Sequence, residues 1–178
     1  MSFASLAENG QGALPAACFD GTVASMEDGR FTMNRVLESG TEEVVINLTE
    51  ETLILDAVNG FPAGADSLKE GESVRVYAGP AMTMSLPPQT SGEVLIAKIP
   101  ADMKAPEYIT VKSMTADADG NWKLVSTAGT EYAVAADCRI MPYLTRQIVS
   151  LEDVAQGSNL LVWSNAENQA QKLVLFAR

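Results

Sequence analysis

At 178 residues and 47% apolar content, the chain has enough core-forming side chains to exclude disorder, and its length suits one ordinary domain or two small ones. Its 23 acids against 12 bases give a formal charge of −11, of which −9 falls in residues 1–104 and −2 in 105–178. With no clustered Lys and Arg, this composition argues against phosphate backbones and anionic lipid surfaces as partners, and no apolar run approaches the ~20 residues of a membrane span.

Residues 1–17 read as an N-terminal arm. Met1 to Asn9 has neither the basic nor the apolar region of a secretory signal. The chain as it stands is therefore expected in the cytoplasm, and in the secreted or cell-envelope space if a leader once preceded it. From there the dominant period is two, the signature of half-buried strands. The runs are Phe19–Met26, Arg30–Leu37, Val44–Leu48, a short Thr52–Leu55, Ser73–Ala78 and Gly92–Ile99. Asp28-Gly29, Ser39-Gly40 and Asn59-Gly60 punctuate them as turn formers. Only Asp66–Glu70 and Leu151–Ala155 look helical, each about one turn long and closed by Gly71 or Gly157.

An internal repeat organises these elements. Gly29-Arg30-Phe31 matches Gly120-Asn121-Trp122, and Ser39-Gly40-Thr41-Glu42 matches Ala128-Gly129-Thr130-Glu131. Further on, Glu51-Thr52-Leu53-Ile54 matches Asp137-Cys138-Arg139-Ile140, and Ser67–Gly71 matches Asp153–Gly157. Last, Val74-Arg75-Val76-Tyr77 matches Leu160-Leu161-Val162-Trp163. The order is the same throughout and the offset narrows from 91 to 89 to 86, as losses in two loops would produce. Each copy reads strand-strand-strand, short helix, strand-strand, with the short fourth run extending or capping the third strand. That order resembles the oligonucleotide/oligosaccharide-binding barrel, or OB-fold. The expected fold is all-β: two tandem OB-like barrels of five to six strands related by duplication, at 18–100 and 107–178, joined by a stiff linker at 101–106. Two halves of one larger barrel or sandwich is the alternative.

The chemistry is sparse. The chain has no His, which removes the commonest general base and transition-metal ligand, and its two cysteines, Cys18 and Cys138, are too isolated for a structural zinc site. They read as reduced thiols. No phosphate-cradling glycine motif follows a strand. No catalytic residue, cofactor or metal is therefore expected, although a carboxylate-dependent hydrolase or metal-assisted enzyme remains an alternative. Asp117-Ala118-Asp119-Gly120-Asn121 imitates the start of a calcium loop but lacks the later bidentate Glu, so it reads as a hairpin turn. The cluster Glu38, Glu42, Glu43, Glu50 and Glu51 reads as a solvated strand face whose charge discourages aggregation.

The most unusual stretch is Gly79–Thr90, present in the first copy only. A loop the scaffold does not require is a candidate for function. Its candidate ligand-binding residues are Tyr77, Pro80, Met82, Met84, Pro87 and Gln89; the competing account has Met82, Met84 and Leu86 plugging a barrel end or an interface. Trp122, Trp163, Tyr132 and Tyr143 are the aromatic side chains that could form a glycan platform, although their repeat partners suit a core role better.

The run Gly40–Gln89, above all Gly79-Pro80-Ala81-Met82-Thr83 with Pro87-Pro88-Gln89, resembles small β domains of Gram-positive anaerobic bacteria. Similar domains occur beside the repeat named for the copper amine oxidase N-terminal region. The resemblance covers about half the chain and implies a bacterial accessory module with no catalytic residues. The function expected is thus a non-catalytic binding or interaction module for a protein, peptide or glycan, with self-association as a homo-oligomer a further alternative.

Overall fold

The computed structural model describes residues 17–144 and 146–176, so the expected arm lies outside the described residues except for Ala17. Eleven strands follow one another: β1 (Ala17–Glu27), β2 (Arg30–Leu37), β3 (Gly40–Asn47), β4 (Leu53–Asp56), β5 (Ser73–Met82), β6 (Gln89–Ala97), β7 (Glu107–Ala116), β8 (Trp122–Ser126), β9 (Glu131–Pro142), β10 (Asn159–Ser164) and β11 (Gln169–Phe176). The two stretches expected to be helical are single 3₁₀ turns, Ala65–Ser67 and Leu151–Asp153. Contacts divide the chain into one unit of residues 17–55 and 62–99, and another of Asp56–Phe61 with residues 100–176.

In the first unit the strand order is β3-β2-β1-β5-β6-β4, and parallel pairing of β3 with β6 closes the barrel. In the second, β10-β11-β9-β8-β7 close on themselves, with β9 parallel to β11. Strand by strand the two topologies are one: antiparallel first-second, second-third, first-fourth and fourth-fifth pairings, and a parallel third-fifth closure. That is the OB-like arrangement, present twice, and the single-sandwich alternative is excluded.

Register repeats with topology. Phe19 faces Val76 and Gly21 faces Val74, while Glu107 faces Val162 and Ile109 faces Leu160. Phe31 pairs with Ile46 and Met33 with Val44; Trp122 pairs with Val134 and Leu124 with Tyr132. Because side chains alternate across a strand, conserving the pairing conserves which of them face inward. Val74, Val76, Met33, Val44 and Ile46 are accordingly buried in one core, and Leu160, Val162, Leu124, Tyr132 and Val134 in the other. The 3₁₀ turns end alike. Gly71 and Gly157 sit at φ +86° and +87°, and their N–H groups donate to Val23 O and Val111 O, each at 2.8 Å.

Besides the Gly79–Thr90 stretch, expected in the first copy only, the copies differ at the fourth run, which was expected to extend or cap the third strand in both. β4 is a separate sixth strand in the first, while β9 runs on to Pro142 and does both jobs in the second, pairing with β8 and then with β11 through Arg139–Pro142. The strand following the Gly79–Thr90 stretch starts earlier than the periodicity indicates, at Gln89.

Candidate functional site

The Gly79–Thr90 stretch is a hairpin that prolongs β5 and β6. Met82 pairs with Thr90, Thr83 N donates to Gln89 O at 2.9 Å, and Gln89 N donates to Thr83 Oγ1 at 2.9 Å. At its tip Ser85 Oγ donates to Pro87 O at 3.0 Å, and the Leu86-Pro87 bond is cis. Of the six residues singled out, Tyr77 is half-buried beside Cys18 and Val94, Pro80 is exposed, Met82 is partly exposed, and Pro87 and Gln89 are intermediate. Met84 is 99% exposed and Leu86 96%, so neither fills the end or the core of the first barrel.

A groove does exist at the corresponding place of the second barrel. In an OB-like barrel the second and third strands, flanked by the first-second and fourth-fifth loops, form the usual ligand face. Here these are β8, β9, the Asp117–Asn121 turn and the Asn165–Asn168 turn, and they border a groove of about 1020 Å³. Its floor is Trp122, Val134 and Ala170, and its rim is amides and carboxylates. Trp122 is only partly buried: it packs against the core and also lines the groove. Its repeat partner Phe31 is wholly buried.

Both turns are held by their own side chains. Asp117 Oδ1 accepts from Asp119 N at 2.9 Å and Asn121 N at 3.0 Å, which fixes the calcium-like sequence as a hairpin loop. Asn121 Oδ1 accepts from Ala136 N at 3.2 Å, tying that turn to β9. Across the groove, Asn165 Oδ1 accepts from Glu167 N and Gln169 N, and its Nδ2 donates to Gln169 Oε1 at 2.8 Å. Asn168 occupies the left-handed region at φ +58°, which Asn tolerates better than most residues. Lys104, from the expected linker, donates to Ser164 Oγ at 3.0 Å, Asn165 O at 3.1 Å and Asn168 Oδ1 at 3.3 Å. Lys123 lies 3.0 Å from Glu131, and Tyr132 OH donates to Glu107 Oε2 at 2.7 Å beneath the floor.

The four aromatic residues do not gather into one platform. Trp122 and Tyr132 belong to the groove. Trp163 is buried, its indole N–H donating to Ala57 O at 2.7 Å, and Lys172 Nζ lies 4.0 Å from the centre of its ring. Burial, and then Arg139, lower the Lys172 pKa. Tyr143 packs on Phe176 with ring centroids 4.5 Å apart. Sequence reasoning missed Lys104, Asn121, Asn165, Asn168 and Gln169. The amide-rich run Asn165–Gln169 is a signal for the last three of these, once placed in the fourth-fifth loop.

Among the described residues no helix is long and apolar enough to cross a membrane. No three His, Cys, Asp or Glu among them are grouped so as to hold a metal ion. No protein-family model matches the chain, and no curated protein does. Among solved structures, it is similar to the Ifi202 HINa domain in complex with 20-bp double-stranded DNA, at 10% identity and a TM-score of 0.27, over 93% of this chain and 94% of that one. That finding corrects the exclusion of nucleic acid drawn from net charge. Net charge sums the whole surface and does not by itself decide a partner. At that TM-score the likeness carries nothing further to this chain.

Proposed function

We propose that this protein is a non-catalytic binding module whose ligand site is the β8–β9 groove of the second barrel. One observation carries the reading: in the second copy of the fold, the strands and both loops of an OB-like ligand face border an open groove with a partly exposed Trp in its floor. The polar groups around it support binding over catalysis. Asp117 is committed to its turn and Glu131 to Lys123, and the chain has no His to act as a base. The resemblance of residues 40–89 to bacterial accessory domains agrees with such a role.

Crystals of the whole chain soaked with a chemically mixed fragment library test it. Fragments should collect against Trp122 and between the Asp117–Asn121 and Asn165–Asn168 turns. Fragments scattered over the surface, or gathered on the Gly79–Thr90 hairpin, would contradict the reading.

A second reading is favoured by the apolar, outward tip of that hairpin. Met84 and Leu86 suit a contact with another copy of the chain better than they suit water. On this reading the first copy supplies self-association and the second supplies ligand binding.

A further inference from the structure

The groove offers a specific set of unused hydrogen-bonding groups. Asn121 spends its oxygen on Ala136 N, Asn168 spends its oxygen on Lys104, and Gln169 spends its oxygen on Asn165. In each case no protein hydrogen bond among the described residues takes up the –NH₂ group, which keeps two N–H donors for a ligand. The Glu167 side chain on the same rim likewise makes no hydrogen bond or ion pair among the described residues, so it offers an acceptor. In the floor lies the Trp122 ring, partly exposed on the groove and backed by the core.

From this we infer that the groove takes a neutral glycan segment, one sugar ring stacked on Trp122 and its hydroxyls shared between the three amides and Glu167. The inference rests on the proposed binding function and names the ligand class of that same site. A sugar hydroxyl both donates and accepts, so one kind of group satisfies the amide N–H donors and the carboxylate together. A pyranose ring also has an apolar face of C–H groups, which suits the face of an indole. Preorganisation adds to this. The side-chain bonds inside both turns, with Lys104 gripping the Asn165–Asn168 turn, fix the donors before a ligand arrives, so little ordering entropy is lost on binding. A peptide could use the same amides through its carbonyls, but a flat ring above Trp122 would then have to come from an aromatic side chain.

The test presents the whole chain with an immobilised panel of neutral oligosaccharides: β-1,4-linked glucans, xylans and N-acetylglucosamine chains. A lysine-rich peptide and a single-stranded oligonucleotide form parallel arms, and any hit is followed by calorimetry. A neutral glycan should bind with Kd below about 1 mM. Three variants then locate it. Trp122→Ala should abolish binding. Asn121→Asp and Gln169→Glu keep the oxygen that the turn requires and remove the donors, so each should weaken binding about tenfold without loss of fold, as judged by circular dichroism. Binding of the peptide or the oligonucleotide with no glycan bound would overturn the inference. So would a panel with no hit, or glycan binding indifferent to Asn121→Asp and Gln169→Glu. If soaked fragments occupy the groove while no glycan binds, the binding site stands and the glycan assignment alone falls.

Discussion

Gly71 and Gly157 show how closely the copies agree at the level of single residues. Each holds a left-handed φ with no atom within 4 Å of where a Cβ would stand, so a substitution there meets backbone strain and no steric clash. Gly71→Ala and Gly157→Ala should therefore each destabilise by about 1 kcal/mol, and by the same amount within error, in chemical unfolding. A large disparity would mean that the turns only look alike. Cys138 offers a second check. Burial, and then neighbouring Asp137, push its thiol pKa up, and its Sγ donates to Ala170 O at 3.5 Å. The folded chain thus keeps a proton that the unfolded chain releases, and stability falls as pH rises from the ordinary thiol range through the raised one. At pH 8, iodoacetamide should modify exposed Cys18 well before Cys138, as peptide mass mapping would show. Equal rates would contradict the burial of Cys138.

At the level of elements, most strands were legible because a half-buried strand must alternate apolar and polar residues. Val44, Ile46 and Leu48 announce β3, and Val74 with Val76 announces β5. The repeat was legible for a related reason: a turn that needs positive φ keeps its glycine, and an inward position keeps an apolar side chain, as in Gly29 with Gly120 and Leu68 with Val154. What could not be read was which loops border the groove. Met82-Thr83-Met84 is conspicuous in sequence, but its partners are backbone groups of its own hairpin. Asn121, Asn165 and Asn168 are ordinary turn residues until the topology brings the two turns to one face. Lys104 was hidden because its partners lie some sixty residues away in sequence. The hairpin makes a prediction at this scale. With Met84 and Leu86 almost wholly exposed, Met84→Ser together with Leu86→Ser should change stability by no more than about 0.5 kcal/mol. If the tip mediates self-association, the same pair should lower the sedimentation coefficient of the wild-type assembly to that of a monomer.

Over the whole molecule, the duplicated fold separates a constant scaffold from variable loops. Both copies keep the barrel, its register and its 3₁₀ turn, since changing any of them would expose core. They part at the fourth run, where β4 is separate in the first copy and continuous with β9 in the second, and at the first-second and fourth-fifth loops. The first copy has a tight Asp28-Gly29 turn and a long hairpin, while the second has a longer Asp117–Asn121 loop and a short amide-rich turn, and these leave the groove open. The most direct test is an amide-resolved NMR titration of the intact chain with the fragments or glycans described above, because one spectrum reports on both barrels at once. The account predicts that Lys123, Ala133 and Asn168 shift in a saturable way while Thr83, Gln89 and Ser91 stay in place. Shifts confined to the first barrel, or none at the β8–β9 face, would contradict it.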